Sequence, residues 1–292
     1  MTGTFLRYFS IGGITLEIES DLEYPPHPFS AKLEKFSMPG PGDDCVRIRY
    51  HFSLPTESES SYGELVYHQK PWRIYRDARG WTYVGFVEDP AHSLFQIVKA
   101  DRDYRCLEIY HPDSRQFVRG NRQWLTISPT DQIALTPILA ERQGCYVHSA
   151  GVILAGNGLL FVGHSSAGKS TMVKLLRSEA DILCDDRVIL RRWPDAIKIH
   201  GTWSHGEIPD VSPASAPLRA IFFLEKKTHN ALIPLSPAET ARRLPEHLIK
   251  TYAGRDWWMK MFDLVEAVAA QVPAYILQFD RSGQVLELLR GL

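Results

Sequence analysis

A glycine-rich segment limits how the second half of this chain can fold. It is Gly163-His-Ser-Ser-Ala-Gly-Lys-Ser-Thr171 and satisfies the spacing G-x-x-x-x-G-K-[ST] in full. The apolar run at residues 159–162 predicts a strand before it, and residues 170–177 predict a helix after it. Strand, glycine-rich loop and helix in this order are typical of a loop whose backbone N–H groups surround phosphate. A glycine- and serine-rich turn that matches the spacing by chance would not need these flanking elements.

The residue types in this segment predict a binding site for a nucleoside triphosphate. Glycines let the backbone curl so that successive N–H groups point inward, and the helix start adds the positive end of its dipole. Lys169 then offsets charge on the β- and γ-phosphates, and the Ser170 hydroxyl is available to Mg²⁺. ATP and Mg²⁺ are therefore the expected ligands. The predicted phosphate-binding residues are Gly163, Ser165, Ser166, Ala167, Gly168, Lys169, Ser170 and Thr171.

Two adjacent carboxylates, Asp185 and Asp186, interrupt an apolar run for which we predict one strand over residues 182–190. On extended backbone their side chains point in opposite directions. One could reach Mg²⁺ while the other approaches an acceptor hydroxyl. Only a short helix separates them from the glycine-rich loop, which favours adjacent parallel strands and a shared site. The alternative is a solvated acidic turn paired with Arg187 or Arg191.

Histidines supply two weaker signals. His148 lies on a predicted strand, where a histidine is more often a buried structural residue than a functional one. The segment His200-Gly-Thr-Trp-Ser-His-Gly-Glu207 mixes glycine with polar and aromatic side chains, and fits a substrate loop and a wide turn equally well. His164 occupies an unconstrained position of the loop, and its side chain receives no assigned role.

The first 120 residues predict a β-rich domain. Residues 5–11 and 14–19 flank Gly12-Gly13, which favours a tight hairpin. Residues 46–52 alternate, with Val46, Ile48 and Tyr50 on one face. Four later apolar runs separated by polar turns predict an antiparallel meander. The chain is thus predicted to be α+β or α/β, with a β-rich domain over residues 1–120 and a second domain with a mixed sheet over residues 121–292.

Charge and composition exclude several classes of protein. The chain has 33 basic and 34 acidic side chains, which argues against a nucleic-acid-binding surface. Its four cysteines form no C-x-x-C pair, so neither a disulfide framework nor a zinc ribbon is indicated. Residues 143–168 carry no charge, but their glycines and polar side chains favour a hairpin and a loop over a membrane span. The N-terminus does not resemble a signal peptide, and we expect a cytoplasmic protein.

The order of these motifs resembles the catalytic domain of the HPr kinase/phosphorylase family, whose fold is similar to that of phosphoenolpyruvate carboxykinase. His148, a hairpin, the glycine-rich loop, a short helix and Asp185-Asp186 follow one another over residues 144–225. The resemblance implies that Asp185 is the base towards the acceptor and that Asp186 helps to hold the metal. It also implies that His148 lies close to the transferred phosphate.

One part of the family's pattern is altered. Its later E-x-R-G element corresponds to Lys198-Ile-His-Gly201, where a lysine and a histidine replace the acid and the arginine. This change argues against the reverse, phosphorylase-type reaction and against HPr itself as the substrate.

The sequence therefore predicts an ATP- and Mg²⁺-dependent kinase. Its acceptor is expected to be a serine or threonine hydroxyl on a protein or peptide, and Lys169, Asp185 and His148 are the expected catalytic residues. The alternatives are a catalytically weak nucleotide-binding regulator or adaptor, and a kinase for a small metabolite. The N-terminal domain is a candidate docking surface for a partner, and family analogy suggests a homo-oligomer.

Overall fold

The computed structural model describes residues 4–87, 93–123, 125, 130–250, 254–280 and 282–291. The chain forms two compact units: Met1–Glu141 with Thr251–Arg255, and Arg142–Lys250 with Asp256–Leu292. The sequence places the boundary near residue 120 instead. The difference arises because the apolar helical segment after residue 130 groups with the first unit. All its side chains described from Ile133 to Ala140 are buried.

The first unit contains one nine-stranded sheet in the order β3-β1-β2-β4-β9-β8-β7-β6-β5. Its helices are α1 (Ala31–Glu34), α2 (Arg115–Arg119) and α3 (Thr130–Ala140), with a 3₁₀ turn at Glu59–Ser61. Its strands are β1 (Phe5–Ile11), β2 (Ile14–Ser20), β3 (Ser37–Met38), β4 (Cys45–His51), β5 (Glu64–Gln69), β6 (Trp72–Arg76), β7 (Gly80–Phe86), β8 (Leu94–Asp101) and β9 (Cys106–Tyr110).

Local sequence signals account for most of this sheet. Gly12 and Gly13 both have positive φ, 60° and 73°, and form the predicted turn between β1 and β2. Val46, Ile48 and Tyr50 are buried on one face of β4, as their alternation predicts. Strands β5 to β9 form an antiparallel meander. The parallel pairings of β4 with β2 and β9 lack a local signal, because they join distant segments.

The second unit contains an eight-stranded mixed sheet. Its helices are α4 (Lys169–Leu176), α5 (Pro237–Arg243), α6 (Arg255–Gln271) and α7 (Val285–Arg290), with a 3₁₀ turn at Leu244–His247. Its strands are β10 (Gly144–Leu154), β11 (Asn157–Val162), β12 (Asp181–Cys184), β13 (Arg187–Arg192), β14 (Ile197–His200), β15 (Ser215–Lys226), β16 (Ala231–Leu235) and β17 (Ala274–Phe279).

Five strands of this sheet close into a ring. Residues 144–148 of β10 pair with β13, and residues 149–154 pair with β11. Strand β10 therefore has β13 and β11 as its two neighbours in the ring. The start of β15 pairs with β14, and its remainder lies parallel to β11. The ring order is therefore β11-β10-β13-β14-β15, with β17 and β16 continuing outward from β15. This parallel pairing brings the carboxyl ends of β11 and β15 to the same edge.

Three predictions for this unit are wrong in detail. The predicted strand over residues 182–190 is two strands, β12 and β13, because the chain bends at Asp185-Asp186. Strand β12 pairs with the end of β10 and β13 with its start. Strands β11 and β12 are not adjacent, since β10 pairs with both and lies between them. The sequence Gly156-Asn-Gly158 predicts the hairpin turn at these three residues, but the turn is Ala155-Gly156, and both of its residues have positive φ, 48° and 81°.

The uncharged segment over residues 143–168 forms β10, β11 and part of the loop, as its composition predicts. Within the described part of the chain, no helix has the length and apolar character needed to cross a membrane. Helices α4 and α7 pack their apolar sides into one buried cluster with the sheet. That cluster includes Phe161, Phe222, Met172, Val173, Leu277 and Leu289.

Burial of His200 gives this unit a pH-dependent stability. The side chain is buried on β14, and its Nε2 accepts a hydrogen bond from Trp193 Nε1 at 3.3 Å. Burial, with smaller contributions from Arg191 and Lys198, lowers the pKa of His200 to about 4. In the unfolded chain His200 binds a proton below its ordinary pKa of 6.5. The unfolded state therefore gains protons, and stability is lost, as the pH falls from 6.5 towards 4.

We expect His200→Gln to reduce this pH dependence, because glutamine keeps an acceptor for Trp193 but does not titrate. Between pH 7 and pH 5 the wild-type free energy of unfolding should fall by about 2 kcal/mol more than that of the variant. Urea unfolding followed by tryptophan fluorescence at the two pH values measures the difference. Equal falls in both proteins would show that His200 does not contribute.

Candidate active site

The glycine-rich loop leaves β11 at Gly163 and enters α4 at Lys169. Gly168 has φ of 112° and lies where an added Cβ would come within 2.5 Å of Phe279 Cζ. A Cβ on Gly163 would come within 2.5 Å of Ala167 Cβ. Both glycines of the motif are therefore required by close approach, and Gly168 also by its left-handed backbone.

The Lys169 side chain lies inside this loop. Its ammonium donates hydrogen bonds to the carbonyl oxygens of Gly163 at 2.8 Å and His164 at 3.1 Å. Burial lowers the pKa of Lys169 from its usual value, and Asp186 and Asp185 partly oppose that shift. The two aspartates thus help to keep the buried ammonium charged. These are the positions at which a phosphate-binding lysine and its acidic neighbours are expected.

Asp185 is a buried carboxylate held by three donors. Its side chain is 3% exposed. Ser170 Oγ donates to Oδ2 at 3.1 Å, Gly206 N to Oδ1 at 2.6 Å and Ile208 N to Oδ2 at 2.9 Å. The Gly206 and Ile208 amides belong to the chain segment after β14. Its first part, up to residue 207, fitted a substrate loop and a wide turn equally well from the sequence. This segment fixes Asp185 beside the helix that carries Ser170.

Asp186 faces a different set of groups and is more accessible, with 27% of its side chain exposed. Its Oδ1 lies 3.7 Å from His148 Nε2, and its Oδ2 lies 3.3 Å from Arg187 Nε. Its backbone carbonyl accepts a hydrogen bond from Ser149 N at 3.0 Å, which anchors the bend to β10. Burial, assisted by Lys169, lowers the pKa of His148 below its ordinary 6.5 while Asp186 opposes the shift. These surroundings favour the neutral form of the His148 imidazole.

These groups line one cleft of about 330 Å³. The structure brings together in it most of the predicted site residues, while Gly163 and Ala167 form the base of the loop instead. Three further residues line it. Gly206 and Glu207 belong to the segment over residues 200–207 that fitted a substrate loop or a wide turn, and the sequence did not single out Lys226. The predicted residues in the cleft are His148, Ser165, Ser166, Gly168, Lys169, Ser170, Thr171, Asp185 and Asp186.

Lys226 is a residue of the cleft that the sequence did not single out. It ends β15, and its ammonium donates to the Ser166 carbonyl oxygen at 2.6 Å. Because β15 lies parallel to β11, its carboxyl end lies beside the loop. A lysine at the end of a strand with a long apolar run was the available signal. The segment that replaces E-x-R-G contributes no residue to the cleft among the described residues: Lys198 pairs with Asp195 at 3.1 Å, and His200 is buried.

Fold and site together define a two-unit, β-rich protein with mixed sheets and a glycine-rich loop between a strand and a helix. Residues 121–290, more than half of the chain, match the family described as SynChlorMet cassette protein ScmC. The chain belongs to this family. No curated protein matches it. Among solved structures it is similar to the HPr(Ser) kinase/phosphatase from Coxiella burnetii, with 11% identity and a TM-score of 0.30 over 50% of this chain and 85% of that chain.

The different surroundings of the two aspartates predict different costs when each is changed. Asparagine at position 185 would turn an amide nitrogen towards N–H or O–H donors, and we expect Asp185→Asn to lose about 1–3 kcal/mol of unfolding free energy. Asp186→Asn is the matched control and should lose less than about 1 kcal/mol, because its ion pair with Arg187 is partly exposed. Urea unfolding without nucleotide or Mg²⁺ measures both. Equal losses would contradict the distinct environments of the two carboxylates.

Proposed function

We propose that this protein is an ATP- and Mg²⁺-dependent kinase that transfers phosphate to a hydroxyl group. The observation that carries the proposal is the shared cleft: Lys169, Ser170, both aspartates and His148 all line it. Phosphoryl transfer depends mainly on positioning and on neutralising charge, and these groups suit both tasks.

The triphosphate would lie along the loop backbone and against the start of α4. Lys169 would exchange its hydrogen bonds to the Gly163 and His164 carbonyl oxygens for phosphate oxygens. Lys226, already bonded to the loop at Ser166, would supply a second positive charge at the same edge. A charged donor to phosphate is worth more than one to a neutral carbonyl, which favours this exchange.

The oxygen atoms of Ser170 and Asp185 fit a magnesium site. They lie 3.1 Å apart at the start of α4, and hard oxygen donors are the ligands that Mg²⁺ prefers. Mg²⁺ held there would neutralise charge on the β- and γ-phosphate oxygens. The family resemblance implies that Asp186 helps to hold the metal, but the contact between Ser170 and Asp185 favours Asp185 as the metal ligand. We therefore propose that Asp185 holds the metal together with Ser170.

Asp186 is then the better candidate for the base. Its carboxylate is partly exposed and adjoins His148, so an acceptor can approach it from solvent. The acceptor oxygen would bond to the γ-phosphorus as the bond from that phosphorus to the β-phosphate bridging oxygen breaks. The hydroxyl proton would pass to Asp186, and ADP would leave. His148 would orient Asp186 and contact the transferred phosphate.

A serine or threonine of a protein or peptide is the proposed acceptor. His148 and Glu207 at the cleft have side chains that are 37% and 63% exposed, so a segment of a larger chain can reach the site. Docking of that partner on the first unit remains a prediction of the sequence. A small metabolite is the alternative acceptor.

Lys169→Ala tests nucleotide binding. Loss of a charged donor to phosphate should weaken the binding of ATP with Mg²⁺ by about 10- to 100-fold. Lys198→Ala is the control, because Lys198 pairs with Asp195 and does not line the cleft. Isothermal titration with ATP and Mg²⁺ measures both affinities, and circular dichroism confirms that both variants are folded. Unchanged affinity in the Lys169 variant would contradict the nucleotide site.

Asp186→Asn tests the base. We expect transfer from γ-labelled ATP to a panel of serine- and threonine-containing peptides and small hydroxyl compounds to fall by about 10²-fold or more. Its affinity for ATP should stay close to that of the wild type. Asp185→Asn should instead raise the Mg²⁺ concentration needed for ATP binding.

If Asp185→Asn lost transfer and Asp186→Asn raised the Mg²⁺ concentration needed for ATP binding, Asp185 would be the better candidate for the base, as the resemblance implies. A wild-type protein that binds ATP tightly but labels no acceptor would favour the regulator or adaptor.

A further inference from the structure

Two histidines and a glutamate form a cluster outside the nucleotide cleft. His164 belongs to the glycine-rich loop, and Glu246 and His247 belong to the 3₁₀ turn Leu244–His247. One donor atom from each residue lies within 4.8 Å of the other two. None of the three lines the cleft that holds Lys169 and the aspartates.

His247 is the fixed member of this cluster. It is 7% exposed, and its ring centroid lies 4.8 Å from that of His164 and 6.1 Å from that of Phe223. The turn that carries it is tied to β10, because Ile249 N donates to the Tyr146 carbonyl oxygen at 2.9 Å.

The donor set selects a class of metal. Two imidazole nitrogens and one carboxylate oxygen suit Zn²⁺ and are poorly matched to Mg²⁺, which prefers oxygen alone. We propose that His164, Glu246 and His247 bind a zinc ion, with a water or an exogenous group as the fourth ligand. Donors of a tetrahedral zinc ion lie about 3.3 Å apart. His164 and Glu246 are exposed and can rotate towards the fixed His247 to reach that spacing.

Space for the fourth ligand exists at the cluster. A cavity of about 270 Å³ is bordered by all three residues, by the loop and by Phe223 and Arg243. Three protein ligands with an open fourth position are typical of zinc sites that accept an exogenous ligand. Arg243 and Glu225 both border this cavity, so one cationic and one anionic side chain lie beside the open position.

A zinc ion here would tie the loop to the rest of the second unit. The His164 side chain would hold the metal, while the carbonyl oxygen of the same residue accepts a hydrogen bond from Lys169. The metal would therefore restrain the loop at the residue that contacts the phosphate-binding lysine. The zinc site is separate from the proposed magnesium site, and its occupancy would not depend on kinase activity.

Zinc titration of the full, chelator-treated chain without nucleotide tests the inference. Calorimetry should show one equivalent of Zn²⁺ bound per chain. His164→Ala and Glu246→Gln, at exposed positions that leave the core intact, should each bind zinc at least about tenfold more weakly. Zinc at 100 times its Kd should raise the wild-type Tm by about 5 °C or more, and these two variants should show a smaller rise.

Two control variants separate this site from other histidines. His229→Ala removes an exposed histidine that contacts Gln278, and His148→Ala removes the histidine of the nucleotide cleft. Both should keep the wild-type zinc affinity. Absence of zinc binding, unchanged affinity in both cluster variants, or loss of binding in His148→Ala would each overturn the proposal.

Discussion

The buried carboxylate of Asp185 joins three segments of the second unit that are distant in sequence. Ser170 at the start of α4 and the amides of Gly206 and Ile208 after β14 all donate to it. A carboxylate at 3% exposure without such donors would carry a large desolvation cost, so the burial of Asp185 depends on these donors being in place. The direction of α4, and with it the shape of the glycine-rich loop, is therefore linked to a segment more than thirty residues away.

The bend between β12 and β13 follows from the same constraint. If residues 182–190 formed one strand, side chains would alternate and the two carboxylates would lie on opposite faces of the sheet. Instead the chain shifts from one end of β10 to the other at this point, and Ser149 N donates to the Asp186 carbonyl oxygen. Both carboxylates then reach one cleft, with Asp185 buried and Asp186 partly exposed. The division of labour we propose for them depends on this difference in burial.

Signals within a few residues predicted much of the fold, and long-range contacts were the part that they could not predict. The alternation in β4, the Gly12-Gly13 turn and the strand, loop and helix around Gly163 are local patterns, and the structure contains each of them. The parallel pairing of β4 with β2, and the position of β10 between β11 and β12, depend on contacts between distant segments. In the site, the amides of Gly206 and Ile208 had no signal, because any residue except proline offers the same backbone donor.

His164 shows how the glycine-rich loop can take part in a second set of contacts. Gly163 and Gly168 are fixed by close approach, since a Cβ on either would come within 2.5 Å of a neighbouring atom. The positions between them contribute mainly backbone N–H and C=O groups, and these do not depend on the side chain present. The loop therefore constrains the backbone of residue 164 but leaves its side chain free to face His247. A metal ligand at this position would couple the loop to the 3₁₀ turn without changing the backbone N–H and C=O groups that the loop presents.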